Sequence, residues 1–112
     1  RALRSQEELT RWLAESLNRY TNLVFTMLDG KVHDPQRIDY TTRYLRGYYR
    51  ASKENIPLVG YIYWSFMDNF EWAEGYGPRF GLIYVDYTTQ KRTMKDSAWT
   101  YQRIIETNGA EL

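Results

Sequence analysis

The stretch "WSFMDNFEW", residues 64–72, places flat aromatic rings beside acidic side chains. A ring such as Trp64 or Trp72 can cover the C–H face of a pyranose, while a carboxylate such as Glu71 accepts hydrogen bonds from its hydroxyl groups. These residue types therefore indicate carbohydrate binding. A structural interpretation is also open, in which the rings fill a core and Asp68 and Glu71 cap turns.

The run before this stretch, "IPLVGYIYWSF" at residues 56–66, predicts a buried β-strand with Pro57 at its start. Side chains two apart lie on one face of a strand, so Gly60, Ile62 and Trp64 would share a face. Trp64 would then be the last inward-facing residue, at the end of the strand. In a βα barrel, ligands bind beyond that end.

The other elements predicted along the chain alternate between helices and strands. We expect a helix over residues 5–20, a strand over 21–27 and a turn at Asp29-Gly30. A second helix should run to about Asn55, with Asp34 as its cap and Pro35 at its first position. An extended hairpin arm or edge strand at 81–87 and a closing helix, capped by Asp96 or Ser97 and ended by Asn108-Gly109, should follow. This order is typical of βα units with a parallel sheet. Two parallel strands alone leave open edges, so the pattern is that of a slice of a larger α/β structure.

Composition excludes several classes of protein. The 112 residues carry 15 basic and 14 acidic side chains, a net charge of +1 that gives no overall attraction to nucleic acid or an anionic membrane. The absence of cysteine excludes disulfides and thiolate metal sites. No apolar run approaches the roughly 20 residues that span a bilayer, and the N-terminus has no signal-peptide pattern. We therefore expect a cytoplasmic protein.

Three segments carry a resemblance to a known family: "DGKVHDPQRIDY", "GYIYWSFMDNFEWAEGYGPRFGLIYVDY" and "TQKRTMKDSAWTYQRIIETNG". Together they cover about residues 28–109 and resemble the family 1 glycoside hydrolases, which are retaining β-glucosidases and β-galactosidases on a (β/α)8 barrel. The resemblance implies an α/β fold that is a fragment of a TIM barrel. It would hold about two βα units, strands 7 and 8, with a preceding helix and a short extra strand or hairpin.

On this interpretation residues 1–112 form a single partial barrel unit. It divides into a helix at 1–20, a βα unit at 22–55, and a second βα unit at 56–109 that contains the sugar-site loop 64–80.

The resemblance also implies a sugar subsite. Trp64 is similar to the tryptophan under the sugar ring, and Glu71 to the carboxylate that binds the outer hydroxyls. Trp72 is similar to the tryptophan whose indole N–H meets a neighbouring hydroxyl. Phe80, in "RFG", resembles an aromatic wall residue of the same pocket.

The family's two catalytic carboxylates have no counterpart here. Its nucleophile lies in an "ITENG" motif after the seventh strand, where this chain reads "NLVFTMLDG". Two alignments are open. Aligned on Thr26, Met27 takes the place of the glutamate; in the alternative, the motif and the loop after it are deleted and the strand joins "LDGKVHD" directly. The "NEP" motif of the acid/base is absent, and Glu106 in "ETNGAEL" follows the closing helix, so we assign no catalytic residue.

The remaining polar residues give weaker signals. His33, the only histidine, is interpreted as a hydrogen-bonding loop residue, and Asp29 as part of a turn. Asp68 and Asp86 could form a carboxylate pair only through tertiary contact. No phosphate loop and no metal-ligand spacing occurs, so we expect no cofactor and no metal.

Two functional hypotheses follow. In the first, the chain is a fragment or engineered derivative of a β-glycosidase that keeps part of the sugar subsite and is inactive alone. In the second, it is a designed or excised self-assembling βα module or binding scaffold with no enzymatic role. The expected partners are a weakly bound β-glucoside-like sugar, and either further copies of the chain or a complementary barrel fragment.

Overall fold

The computed structural model describes residues 26–112. Its elements are strand β1 (Thr26–Leu28), strand β2 (Lys31–His33), helix α1 (Pro35–Lys53), a 3-10 helix (Trp72–Glu74), strand β3 (Ile83–Val85), strand β4 (Arg92–Met94) and helix α2 (Asp96–Glu106). The predicted helix at 5–20 and most of the predicted strand at 21–27 lie outside the described residues.

The first hairpin turns at Asp29 and Gly30, as predicted. Both residues have positive φ angles, 53° and 76°. This conformation is that of a two-residue turn whose twist matches the strands it joins, and Asp-Gly is a favoured sequence for it. Strand β1 therefore pairs antiparallel with β2, with Thr26 opposite His33.

Helix α1 confirms the predicted helix, with Pro35 in its first turn. Asp34 occupies the N-cap position, but its side chain makes no capping hydrogen bond. The carboxylate instead accepts hydrogen bonds from the backbone N–H and hydroxyl of Ser97 and from Arg37. The predicted capping role of Asp34 is therefore wrong, because tertiary donors compete successfully for its oxygens.

The second hairpin confirms the extended arm predicted at residues 81–87. Strand β3 pairs antiparallel with β4, with Ile83 opposite Met94. The turn between them is closed by hydrogen bonds from the N–H of Asp86 to the carbonyl of Lys91 and from the N–H of Gln90 to the carbonyl of Asp86.

Helix α2 begins where the sequence predicts, but its capping differs. The N-cap position belongs to Lys95, and no side chain caps the helix. Asp96 pairs with His33, and the hydroxyl of Ser97 donates to Asp34. Both predicted caps thus bind other elements instead. Neither helix of the described part of the chain is long and apolar enough to cross a membrane.

The predicted buried strand at 56–66 is wrong. Residues 56–64 have no regular secondary structure, and the side chains of Val59 and Ile62 are almost fully exposed, at 105% and 95%. A parallel strand is buried only when neighbours cover both of its edges and helices cover both faces. Among the described residues, helices pack on one side of this segment, and no neighbouring strand forms a β-ladder with residues 56–64.

The predicted parallel sheet is likewise not found within residues 26–112. Both described sheets are two-stranded and antiparallel. Parallel pairing is limited there to two isolated bridges, Val32 with Lys95 and Met67 with Ile83.

Tyrosine rings of the segment 56–64 pack against helices α1 and α2. The ring of Tyr61 lies 6.2 Å from Tyr44 and 5.8 Å from Tyr48 on α1, and 6.4 Å from Tyr101 on α2. Tyr63 lies 5.5 Å from the same Tyr101. Burial in this cluster raises the pKa of Tyr61. Tyr61 and Tyr63 therefore pack on the helices, whereas Ile62 between them does not.

Polar side chains make up much of the described interior. The buried apolar residues are Val32, Leu45, Leu82, Val85 and Ala98, whereas the buried polar ones are Asp34, Arg37, Thr41, Ser65, Asp68, Glu71, Lys95 and Ser97. Buried charges are tolerated only when they are paired and hydrogen-bonded. The stability of this interior therefore depends on the hydrogen bonds and ion pairs of its polar side chains.

His33 is a hydrogen-bonding residue, as predicted from the sequence. Its Nδ1 lies 2.7 Å from the Asp96 carboxylate of α2, and its Nε2 lies 3.3 Å from the Asp29 carboxylate of the first turn. These two bonds raise the pKa of His33 above 6.5, with that to Asp96 the larger cause. The His33 ring thus links the first hairpin to the start of α2.

We predict a stability that falls as pH rises through the His33 pKa. The pKa is higher in the folded state than in the unfolded state, so the contribution is complete below about pH 6.5 and is lost above the raised value. Urea unfolding between about pH 5.5 and pH 8.5 would measure it. The decline should be smaller in Asp96→Asn and unchanged in Asp39→Asn, an exposed carboxylate paired with Arg43. An equal decline in Asp96→Asn would contradict the assignment.

Candidate functional site

The site loop, residues 64–80, is closed at its base by backbone hydrogen bonds between two arms. The first arm is residues 64–68, and the second arm, residues 79–83, runs from the end of the loop into strand β3. The N–H of Leu82 donates to the carbonyl of Ser65 at 3.0 Å, and the N–H of Ile83 to that of Phe66 at 3.1 Å. The N–H of Asp68 donates back to the carbonyl of Ile83 at 2.9 Å. The peptide bond between Trp64 and Ser65, at the start of the first arm, is cis.

Glycine is required where the arms cross. A Cβ atom at Gly81 would collide with the backbone of Met67 and Asp68. The two arms can therefore approach this closely only with hydrogen as the side chain. Because the backbones are in direct contact at Gly81, a displacement of one arm towards the other must displace that other arm as well.

Asp68 fixes this crossing from within. Its carboxylate is fully buried and accepts hydrogen bonds from the N–H of Gly81 at 3.0 Å and of Val85 at 3.3 Å. It also pairs with Lys95 at 2.8 Å and with Arg79 at 3.5 Å. One side chain of the first arm thus holds the second arm, strand β3 and the residue before α2. The interpretation of Asp68 as a turn cap is wrong.

Lys95 is the buried cation of this pair. Burial, and next the nearby charge of Arg37, lower the pKa of Lys95 to about 8, although Asp68 opposes that change. Its ammonium also donates to the carbonyl of Arg79 at 2.9 Å. The contacts with Asp68 and Arg79 thus join the ammonium to both arms of the site loop.

Asp86 does not pair with Asp68. Its carboxylate accepts hydrogen bonds from the N–H of Thr88 at 2.9 Å and of Thr89 at 3.3 Å in the β3–β4 turn. Bonds from Thr89 and Thr88 lower the pKa of Asp86. The described contacts give this residue a structural role in the turn.

Glu71 sits at the entrance to the 3-10 helix. The N–H of Glu71 donates to the carbonyl of Gly75 at 2.7 Å, and the carbonyl of Glu71 accepts the N–H of Glu74 at 3.0 Å. Gly75 has a φ of 63°, in the region that favours glycine. This tight turn directs the Glu71 side chain into the loop and leaves Trp72 outside.

Trp64 and Glu71 are brought together across the loop. The indole N–H of Trp64 donates to Oε2 of Glu71 at 3.1 Å. Glu71 is 7% exposed, and its other oxygen, Oε1, is buried without a hydrogen-bond partner. A buried acceptor without a donor is costly, and such atoms are usually satisfied by water or a ligand. The open Trp64 ring, 63% exposed, lies beside this acceptor.

The other two predicted sugar contacts are placed less tightly. Trp72 begins the 3-10 helix and is 77% exposed, and Phe80 is partly buried on the second arm. Within the described residues, no hydrogen bond or ring contact joins the side chain of either one to Trp64 or Glu71. All four residues belong to the site loop, but the described contacts tie only Trp64 to Glu71.

Sequence reasoning missed the residues that hold the loop from behind. Arg37 on α1, Asp34 before it, and Lys95 and Ser97 around the start of α2 are all buried. Arg37 shares the buried stripe of α1 with Thr41 and Leu45 at four-residue spacing, a signal that could have been used. Lys95 had no such signal, because its partner Asp68 belongs to a distant loop. No group of His, Cys, Asp and Glu side chains suited to a metal ion occurs among residues 26–112.

Comparison with known proteins gives consistent matches. The family model for glycosyl hydrolase family 1 matches residues 16–110. The chain is 53% identical over 83 residues to β-glucosidase A of Thermotoga maritima, covering 74% of this chain and 19% of the relative. It is 54% identical over 79 residues to a bifunctional β-D-glucosidase/β-D-fucosidase of Bifidobacterium breve, covering 70% of this chain and 17% of the relative. The chain thus spans about a fifth of the length of these relatives.

Solved structures agree. A β-glucosidase from Thermotoga maritima in complex with glucoimidazole matches with a TM-score of 0.76 and 40% identity, over 88% of this chain and 25% of that one. A family 1 β-glucosidase from the same organism matches with a TM-score of 0.74 and 49% identity, over 76% of this chain and 19% of that one. These neighbours are TIM-barrel enzymes, and the described helices and hairpins are consistent with part of such a barrel. The chain belongs to glycosyl hydrolase family 1.

Proposed function

We propose that this chain supplies part of the sugar-binding subsite of a β-glucosidase, and that it has no hydrolytic activity alone. The observation that carries the proposal is the free, buried Oε1 of Glu71 beside the open ring of Trp64. The relatives are named as β-glucosidases, and one solved neighbour is in complex with glucoimidazole. A glucose-like ring is therefore the ligand class that this arrangement favours.

Trp64 and Glu71 have complementary roles in this proposal. The indole ring covers one C–H face of the sugar, and its N–H keeps Oε2 of Glu71 in place. Oε1 then accepts a hydrogen bond from a sugar hydroxyl, a charge-assisted bond that is stronger than a neutral one. Trp72 and Phe80 supply further indole and ring surface at the rim. This assignment of the four residues rests on the family resemblance and on their position in the loop.

The proposed lack of activity rests on the carboxylates. A retaining glycosidase uses two carboxyl groups about 5–5.5 Å apart, one as nucleophile and one as acid/base. Neither family motif that contains them occurs in this sequence. Glu71 is committed to Trp64 and to the proposed sugar hydroxyl.

We predict weak binding of glucose or an aryl β-glucoside, with a Kd of order millimolar. One stacked face and one or two charge-assisted hydrogen bonds support only this affinity. Tryptophan fluorescence during a sugar titration would measure it. Saturable binding should be lost in Trp64→Ala and in Glu71→Gln, and retained in the matched control Glu74→Gln, whose side chain is exposed in the same 3-10 helix. An unchanged signal up to high sugar concentration would mean that the stretch 64–72 serves packing alone.

We predict that the chain hydrolyses 4-nitrophenyl β-glucoside no faster than buffer does, because both catalytic carboxylates are missing. The measurement is release of nitrophenol by repurified protein, with Glu71→Gln as the comparison. Turnover that survives repurification and disappears in Glu71→Gln would refute the proposal. A binding-competent but inactive chain would support it.

Self-association is a second candidate role, and a specific surface favours it. Ile62, Trp64 and Phe66 alternate along the chain and are 95%, 63% and 68% exposed. Contiguous exposed apolar patches are characteristic of interaction sites. We propose that a second copy of the chain covers this surface, in a homo-oligomer.

We predict an oligomer by multi-angle light scattering, and a shift towards monomer in Ile62→Lys, which places a charge in the proposed interface. Ile105→Lys is the matched control, because Ile105 is 63% exposed on helix α2 and lies outside this surface. A monodisperse monomer with cooperative unfolding would argue against this role. Because Trp64 belongs to both proposed surfaces, bound sugar should compete with association.

A further inference from the structure

We propose that Arg37 and Lys95 are positioning residues for the sugar subsite. Their side chains lie behind the site loop and hold the backbone carbonyls of its second arm, so that Trp64 and Glu71 keep the geometry that binds the sugar. This inference rests on the proposed sugar-binding function. It adds two residues that touch no ligand.

The two cations converge on adjacent carbonyl groups. Arg37 reaches from helix α1 and donates from Nη1 to the carbonyl of Phe80 at 2.9 Å and from Nη2 to that of Arg79 at 2.6 Å. Lys95, before helix α2, donates to the carbonyl of Arg79 at 2.9 Å. Residues 79 and 80 are therefore held by charged donors from two different elements.

Each cation is itself fixed by a buried carboxylate. Nε of Arg37 bonds to Asp34 at 2.9 Å, and Asp34 also accepts the N–H and hydroxyl of Ser97 at 2.9 and 2.6 Å. Lys95 pairs with Asp68 at 2.8 Å. The two donors therefore have little freedom to move, and the carbonyls that they hold are placed relative to both helices.

The positions of residues 79 and 80 affect Trp64 and Glu71 because the two arms of the site loop are in direct contact. The carbonyl of Phe80 also accepts the N–H of Ser65, the neighbour of Trp64, at 3.5 Å. The next residue, Gly81, has no space for a side chain against Met67 and Asp68. A shift of residues 79 and 80 would therefore displace Trp64, and with it the hydrogen bond that holds Glu71.

Stability alone does not account for this arrangement. Buried ion pairs often stabilise a fold no better than apolar residues of the same volume, because their desolvation is costly. Directed donors, by contrast, fix the distance and angle of each carbonyl. The planar fork of Arg37 binds the two carbonyls from separate nitrogen atoms of one rigid group, a geometry that the single ammonium of a lysine does not reproduce.

Two variants separate positioning from folding. Arg37→Lys keeps a positive charge beside Asp34 but removes the paired hydrogen bonds to the carbonyls of Arg79 and Phe80. Lys95→Met removes the second donor and leaves Asp68 paired with Arg79. The matched controls are Arg46→Lys and Lys91→Met, which change exposed side chains on the same helix and beside strand β4.

Three measurements are made on each protein: urea unfolding, sugar affinity by titration, and the 19F spectrum after labelling with 5-fluorotryptophan. We expect Arg37→Lys and Lys95→Met to unfold cooperatively, to bind sugar about tenfold more weakly than the unchanged chain, and to shift the Trp64 resonance. The Trp99 resonance, from the exposed side of α2, should stay in place as an internal reference. Both control variants should match the unchanged chain.

Other outcomes overturn the inference. An unshifted Trp64 resonance and unchanged affinity in both variants would show that the two cations do not position the site. Loss of cooperative unfolding in Arg37→Lys would make the network a requirement of the fold and not of loop geometry. If the unchanged chain binds no sugar, the proposed function fails, whereas the Trp64 resonance still decides the positioning role.

Discussion

The buried carboxylate of Asp68 is the group on which the rest of the described structure depends. Both it and the Lys95 ammonium are fully removed from solvent, and losing either partner of such a pair typically costs about 3–5 kcal/mol. The pair therefore stabilises this arrangement of the loop in the unchanged chain. Because Asp68 also accepts the N–H groups of Gly81 and Val85, formation of the pair sets the site loop on the second hairpin.

Anchoring the loop by polar groups has a consequence for its aromatic residues. In a loop held by an apolar core, the rings would be needed inside. Here Trp64 and Trp72 remain largely exposed, while Ser65, Asp68 and Lys95 are buried. The polar interior thus leaves this ring surface exposed, as the proposed sugar binding and the proposed self-association both require.

The sequence predicted the features that local geometry decides. The Asp29-Gly30 turn, the start of α1 at Pro35 and the hairpin arm at 81–87 depend on backbone angles and short-range periodicity. The burial of residues 56–66 depends on strands that would flank them, so their apolar pattern alone predicted a strand that is not formed. The Trp64–Glu71 pair could be expected from the family resemblance. The pairing of Asp68 with Lys95 could not, because no spacing rule relates a loop aspartate to a lysine before a distant helix.

Saturation-transfer difference NMR with methyl β-glucoside tests the central claim most directly, namely that Trp64 and Glu71 form a sugar-binding pair held from behind by buried charges. Saturating the aromatic protons should transfer magnetisation mainly to the ring C–H protons on one face of the sugar, and the transfer should be lost in Trp64→Ala and in Glu71→Gln but kept in Trp99→Phe. No transfer to the sugar, or transfer that persists without Trp64 and Glu71, would contradict it.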